Sequence, residues 1–299
     1  MAIGTDQTIS PRSLLLLGAS SQIGVFAIPR LVEAGFHVLA LSRKGKPEGY
    51  PVYDQVEWLN EAESVKASES CQYLLSAGPM QLAQKFLATG QQFRSAVVFS
   101  SSSVETKHES DNLVEREQIR DMLALESELQ LSAKTRGLKL VIFRPTLIYG
   151  CGLDTNISRL AKWIRRFGFM PVNGKATGLR QPVHADDLAE AATSALLSKL
   201  NLPPMLYLHG GDTLSYSEMI SRIFPAVAKP ARILRLPQWL FVMLVKLAKI
   251  FASGGSINEE MVRRQLNDLV FDDSQARELL GYDPRPFTPQ EGDFSLPPR

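Results

Sequence analysis

Apolar residues along this chain fall into short, nearly continuous runs, separated by stretches in which they recur every three or four positions. Runs of four to six suit buried strands, and the periodic stretches suit helices that cover them. The first run, Leu14 to Leu17, ends at Gly18, a turn of small residues follows, and Ile23-Gly24 opens a periodic segment that ends near Ala34. This order predicts a strand, a tight turn and a helix. Further strands are predicted at His37–Ser42, Val56–Leu59, Gln72–Ala77, Ser95–Ser100 and Leu138–Phe143. Met80–Ala88 reads as a helix between two of them. A longer helix follows the serines Ser100 to Ser103, with Ile119, Leu123 and Leu129 on one face and Gly137 as its stop. Strands and helices in this alternation predict an α/β fold with a doubly wound parallel sheet of Rossmann type.

Beyond Tyr149 the rhythm changes. Asn156–Phe167 reads as helical, Asp186 as the N-cap of a helix over Asp187–Ser198, and Leu206–Leu208 as a short strand. Ser215 with Glu218, and Ser256 with Glu259, have capping-box spacing. The expected division is a tail over 1–12, a Rossmann core over 13–150 and a smaller, mostly helical substrate or lid region over 151–299. That last region is interleaved with the end of the sheet and lacks a separate core, since no linker-like composition sets it apart. Within it, Leu236–Phe251 leaves only a narrow polar stripe of Gln238, Lys246 and Lys249. It fits a helix buried on two sides, a subunit contact in a homodimer, or peripheral contact with a membrane surface. It is shorter than the roughly 20 residues a membrane span needs.

Charge and cysteine content narrow the classes. Lys plus Arg is 33 against 31 for Asp plus Glu, so no strong field draws nucleic acid to the surface. Cys71 and Cys151 are far apart with no histidine cluster nearby, which argues against a disulfide framework and a metal site and matches a reducing cytoplasm. The polar first twelve residues do not read as a secretory leader. The P-loop, the hydrolase nucleophile elbow and the H-E-x-x-H motif are all missing from the sequence.

Four segments in order, GASSQIG (18–24), VVFSSSSV (97–104), FRPTLIYG (143–150) and RQPVHADDLA (180–189), resemble the extended short-chain dehydrogenase/reductase family, in its NAD(P)-dependent epimerase/dehydratase type acting on nucleotide sugars. The resemblance implies that Gly18, Ser20, Ser21, Gln22, Ile23 and Gly24 line a dinucleotide pyrophosphate at a helix N-terminus, with Ser21 where a G-x-x-G-x-x-G spacing has its middle glycine. Ala77 and Gly78 are implied to pass beneath the adenosine ribose and the nicotinamide side, with Ser100 also on the cofactor side. At the end of the second strand, where NAD-preferring relatives have an acidic residue, this chain has Ser42 and Arg43. A guanidinium can hold a 2′-phosphate, so NADP is favoured over NAD.

The implied chemistry is hydride exchange with a small-molecule substrate such as a nucleotide sugar, assisted by a tyrosine that has a lysine four residues later. None of the seven tyrosines has one. Gln118 and Met122 fall among the residues near the expected places. Ser101, or Ser102 beside it, matches the family's hydrogen-bonding serine. Tyr149, Lys107 and His108 are the candidate replacements for the proton carrier. Arg180 matches an arginine that reaches the nucleotide diphosphate, and Asn156 is a candidate to replace the asparagine expected where Leu147 stands. Two outcomes are compatible with this pattern: an oxidoreductase with a non-standard acid/base, or an NADP(H)-binding redox-sensing or assembly module without turnover.

Overall fold

All four leucines of the first run are fully buried, with Leu14 and Leu16 in one apolar cluster and Leu15 and Leu17 in another. A strand buried on both faces belongs in the middle of a sheet. In the computed structural model, which describes residues 12–107, 110, 112–243 and 265–296, that is its position. The strands β1 (Arg12–Leu17), β2 (Phe36–Leu41), β3 (Val56–Leu59), β4 (Tyr73–Ser76), β5 (Ser95–Phe99), β6 (Lys139–Pro145) and β7 (Met205–Leu208) form one parallel sheet in the order β7-β6-β5-β4-β1-β2-β3. The strand order reverses between β1 and β4, and their carboxyl ends flank a crevice there.

The helices α1 (Gly24–Glu33), α2 (Glu61–Ala67), α3 (Met80–Ala88), α4 (Ser103–Thr106) and α5 (Leu113–Arg136) connect these strands. The helix expected after the serines is thus two helices. Asn112 caps the second by accepting from the Val114 N–H at 3.0 Å, and Gly137 closes it at φ 64°. Strand β6 runs two residues past Phe143, because Arg144 and Pro145 stay buried and pair with Tyr207 and Leu208.

Helix α1 contains Pro29, which has no N–H for the carbonyl of Val25 one turn earlier. The buried hydroxyl of Tyr50 donates to that carbonyl at 2.5 Å instead. Tyr50 is itself fixed edge-on against Trp58.

The later chain adds α6 (Ile157–Phe167), α7 (Ala185–Leu197), α8 (Tyr216–Ala226) and α9 (Ser274–Leu280). It has an apolar cluster of its own, built on Ile157, Ile164, Met219, Phe224 and Phe287, where the sequence suggested none. Three short pairings join it: 148–149 with 183–184, 179–180 with 214–215, and 170–173 with 233–236. Ser215 caps α8 as its spacing predicts, accepting from the Glu218 N–H at 3.1 Å. For α7 the cap is His184, whose Nδ1 accepts from the Asp186 N–H, and not Asp186. The Asp186 carboxylate is drawn instead to Arg30 on α1, 2.6 Å away, and to Arg285 at 2.7 Å.

Residues 238–243 are helical and Trp239 is exposed. The rest of the predicted helix over 236–251, the Ser256/Glu259 spacing and most of the tail lie outside the described residues. Among the described residues no helix is long and apolar enough to cross a membrane.

Tyr50→Phe is expected to cost about 1–3 kcal/mol in urea unfolding, the penalty of a buried carbonyl left without a donor. In a Pro29→Ala background, where the substituted residue restores the missing N–H, the same change at Tyr50 should cost markedly less.

Candidate functional site

The crevice between β1 and β4 is shaped by glycines at two close approaches. Gly18 has φ +75°, and a Cβ on it would lie 2.6 Å from the Gly78 nitrogen. A Cβ on Gly24 would lie 2.3 Å from the Gly18 oxygen. Hydrogen bonds then stitch the strand ends together: Ala19 N–H to Leu41 O at 3.0 Å, and Ala77 N–H to Leu17 O at 2.9 Å. The hydroxyls of Ser20 and Ser42 meet at 2.7 Å, and Ser42 Oγ also accepts from the Lys44 N–H. Ser42 therefore braces the first turn against the end of β2, while Arg43 beside it is exposed.

In the turn itself, Ser21 N–H donates to Gly18 O and Val25 N–H to Ser21 O. The Gly24 N–H goes to Ser21 Oγ at 3.1 Å. Gln22 and Ile23 are left to present backbone donors at the positive end of α1. Two buried polar atoms beside the crevice, Gln22 Nε2 and Ser76 Oγ at the end of β4, have no partner among the described residues. A backbone that only glycine admits, next to unmatched donors at a helix start, fits the diphosphate of a dinucleotide.

Ser100 to Ser103 leave the carboxyl end of β5, one strand further along. The N–H groups of Ser100 and Ser102 donate to Phe143 O and Pro145 O, which holds the loop against β6. Ser101 Oγ donates to Ser103 Oγ at 2.8 Å and accepts from the Ser103 N–H at 3.1 Å. Ser102 is buried. Ser100 Oγ donates to Glu126, a buried carboxylate on α5. Glu126 in turn pairs with Arg144 of β6 at 2.5 Å, and Arg144 also reaches Glu105 and the Tyr207 hydroxyl. Sequence reasoning missed this network. Its one signal is a carboxylate on the apolar side of α5, seven residues after Ile119 and three before Leu129.

Two of the candidate proton carriers, Tyr149 and Lys107, are among the described residues. Tyr149 is fully buried, its ring edge-on to His184 at 5.0 Å and to Phe287 at 4.9 Å. Burial, with Asp293 and Asp187 nearby, raises its phenol pKa. The Tyr149 ring packs in the later cluster. Lys107 faces Glu115 at 3.5 Å, and His108 lies outside the described residues. On α5, Gln118 is exposed and Met122 leans on the core.

On the substrate side, Arg180 is buried. It donates to the carbonyls of Leu179 and Asn267 and lies over the Tyr216 ring at 5.5 Å. Asn156 is exposed at the start of α6, where Asp154 accepts the N–H groups of Asn156 and Ser158. Leu147 packs against the later cluster. His184, Asp186 and Asp187 lie close enough to share a cation, but both carboxylates are already paired with arginines. Burial pushes the Asp186 pKa up, and the guanidinium groups of Arg30 and Arg285 outweigh it, so the carboxyl stays below its usual range.

The whole arrangement can be set beside solved structures. A UDP-glucuronic acid 4-epimerase from Bacillus cereus, in complex with NAD, matches with a TM-score of 0.69 at 17% identity over 94% of this chain and 95% of that one. The fold is that of the nucleotide-sugar epimerases. An epimerase from Methanothermobacter thermautotrophicus shares the epimerase fold as well, with a TM-score of 0.68 at 16% identity over 95% of this chain and 91% of that one. By sequence, a UDP-glucose 4-epimerase from Vibrio cholerae is 26% identical over 167 residues, 56% of this chain and 48% of that protein. An uncharacterized protein from Sinorhizobium fredii is 26% identical over 204 residues, 68% of this chain and 50% of that protein. The chain spans about half the length of the curated relatives it matches. No family model matches it.

The lowered pKa of Asp186 gives its pairing a pH dependence. Its contribution to stability is fully present above the ordinary carboxylate pKa of 3.8 and is lost as the pH falls through the lower folded value. Urea unfolding from pH 7 to pH 3 should show Asp186→Asn less stable than the parent at neutral pH, with the gap closing below about pH 4.

Proposed function

We propose that this chain binds a nicotinamide dinucleotide in the β1/β4 crevice, prefers NADP to NAD, and acts as an epimerase, dehydratase or reductase of the extended short-chain dehydrogenase/reductase type on a nucleotide sugar or similarly polar substrate. The observation that carries this proposal is the close approach of Gly18, Gly24 and Gly78 beside the amides at the start of α1. The NAD bound in the Bacillus cereus structure supports a nicotinamide dinucleotide, the activity named for the Vibrio cholerae protein supports the epimerase class, and the preference for NADP rests on Arg43 alone. When bound, the dinucleotide supplies the hydride acceptor or donor.

The chain's own groups bind and orient. The N–H groups of Gln22 and Ile23 take phosphate oxygens, and Arg43 supplies a cation at the ribose end, where Ser42 is turned inward to Ser20. Ala77 and Gly78 form the floor beneath the ribose. Ser101 carries the hydroxyl that holds the substrate proton, with Ser103 as its next partner, and Ser102 is buried behind it. Arg180, stacked on Tyr216, and Asn156 mark the substrate side.

A second reading, dinucleotide binding without turnover, draws on Gln118 and Met122 of α5 and on the engagement of Lys107 and Tyr149 elsewhere. Turnover assays separate the two.

NADPH is expected to bind more tightly than NADH in calorimetric titration, and Arg43→Ala should weaken NADPH about tenfold, the loss of one charge-assisted contact, while leaving NADH unchanged. Equal affinities for the two in the parent protein would remove the NADP assignment.

With UDP-glucose or UDP-glucuronic acid and cofactor, hydride exchange in Ser101→Ala should fall by about a hundredfold or more. In Tyr149→Phe it should be retained. Micromolar cofactor binding with no exchange on either substrate selects the second reading.

A further inference from the structure

Helix α1 starts without the usual aids. Its N-cap residue, Ile23, offers no side-chain acceptor, and its first turn contains no acidic residue. Ser21 fills the gap from two residues further back: its Oγ accepts the Gly24 N–H at 3.1 Å while its carbonyl accepts from Val25. Gly24 is the first residue of the helix, and its N–H is one of the donors that an α-helix leaves unpaired. Such a donor is also what a phosphate oxygen seeks at a helix N-terminus. Glycine at position 21 would leave that amide open. Serine covers it with an oxygen of its own.

We propose that Ser21 is a built-in competitor for the dinucleotide phosphate, given that the β1/β4 crevice is the cofactor site. In the structure its hydroxyl caps α1. A diphosphate held by the Gln22 and Ile23 amides gains the Gly24 amide as a third donor only when the Ser21 side chain turns away. The motion needed is small, because Ser21 is half-buried and its Oγ turns about one bond. The residue therefore lowers dinucleotide affinity and links the stability of α1 to occupancy, so that bound and free protein differ less at this helix start than they would with glycine.

The test uses Ser21→Ala and Ser21→Gly in the full chain, with two readouts: the thermal midpoint without ligand and the NADPH dissociation constant by calorimetry. The alanine variant isolates the hydroxyl from the added backbone freedom of glycine. Both variants should melt at lower temperature without ligand, and both should bind NADPH about fivefold more tightly, the scale of one side-chain cap. Weaker binding by Ser21→Ala would show that the hydroxyl donates to the phosphate and would overturn the competitor role, as would an unchanged dissociation constant. If the parent and both variants bind neither NADPH nor NADH while the ligand-free midpoints still fall, the cap stands and the cofactor reading of the crevice is what fails.

Discussion

The contact on which the rest of the molecule depends is the approach of two backbones, at Gly18 and Gly78, with no room for a Cβ between them. Strands β1 and β4 lie side by side at the point where the sheet reverses its order, and both chains must leave their strands there. The turn after β1 is squeezed between the loop after β4 and the start of α1. That compression fixes where α1 begins and which amides face outward. Ser42 and Arg43 then fall on one flank of the crevice and the serines after β5 on the other. A methyl group at Gly18 would conflict with both the space and the left-handed backbone angle, so the crevice has no simple substitute for this glycine.

Much of this was legible in the chain. Val56–Leu59 is a strand with the boundaries its pattern indicates, and the other strands of the first half differ by one or two residues. The glycines of the turn were legible because tight turns demand them. The misses share a cause: they depend on partners distant in sequence. Strand β6 extends to Pro145 because Arg144 and Pro145 pair with Tyr207 and Leu208, and the buried Arg144 finds a buried glutamate 18 residues earlier, a charge pair that hydrophobic patterning does not reveal. Asp186 looks like a helix cap until Arg30, 156 residues away, claims its carboxylate. The surroundings of Tyr149 are likewise set by distant partners, His184 and Phe287. The two-residue pairings of the later chain are too short to show any alternation at all.

The Glu126–Arg144 pair ties α5 to the serine loop and to the sheet. Helix α5 has neither phenol nor ammonium near its start, but it sends one carboxylate inward, where Ser100 and Arg144 hold it. A buried ion pair of this kind adds little net stability relative to apolar packing, but leaves a costly charge when one partner is removed. It anchors α5 and the serine loop to the sheet in a single register. The polarity at this edge thus serves to hold the loop in place.

Proline in α1 has one more consequence. The carbonyl it leaves open is filled by Tyr50, 25 residues later, so α1 cannot complete its own hydrogen bonding as an isolated segment. The hydroxyl reaches it only after β2 has formed and the following loop has folded back over the helix. The hydrogen-bonded unit around α1 therefore extends at least from Arg12 to Tyr50, and the crevice is complete only when Gly78 is set against Gly18.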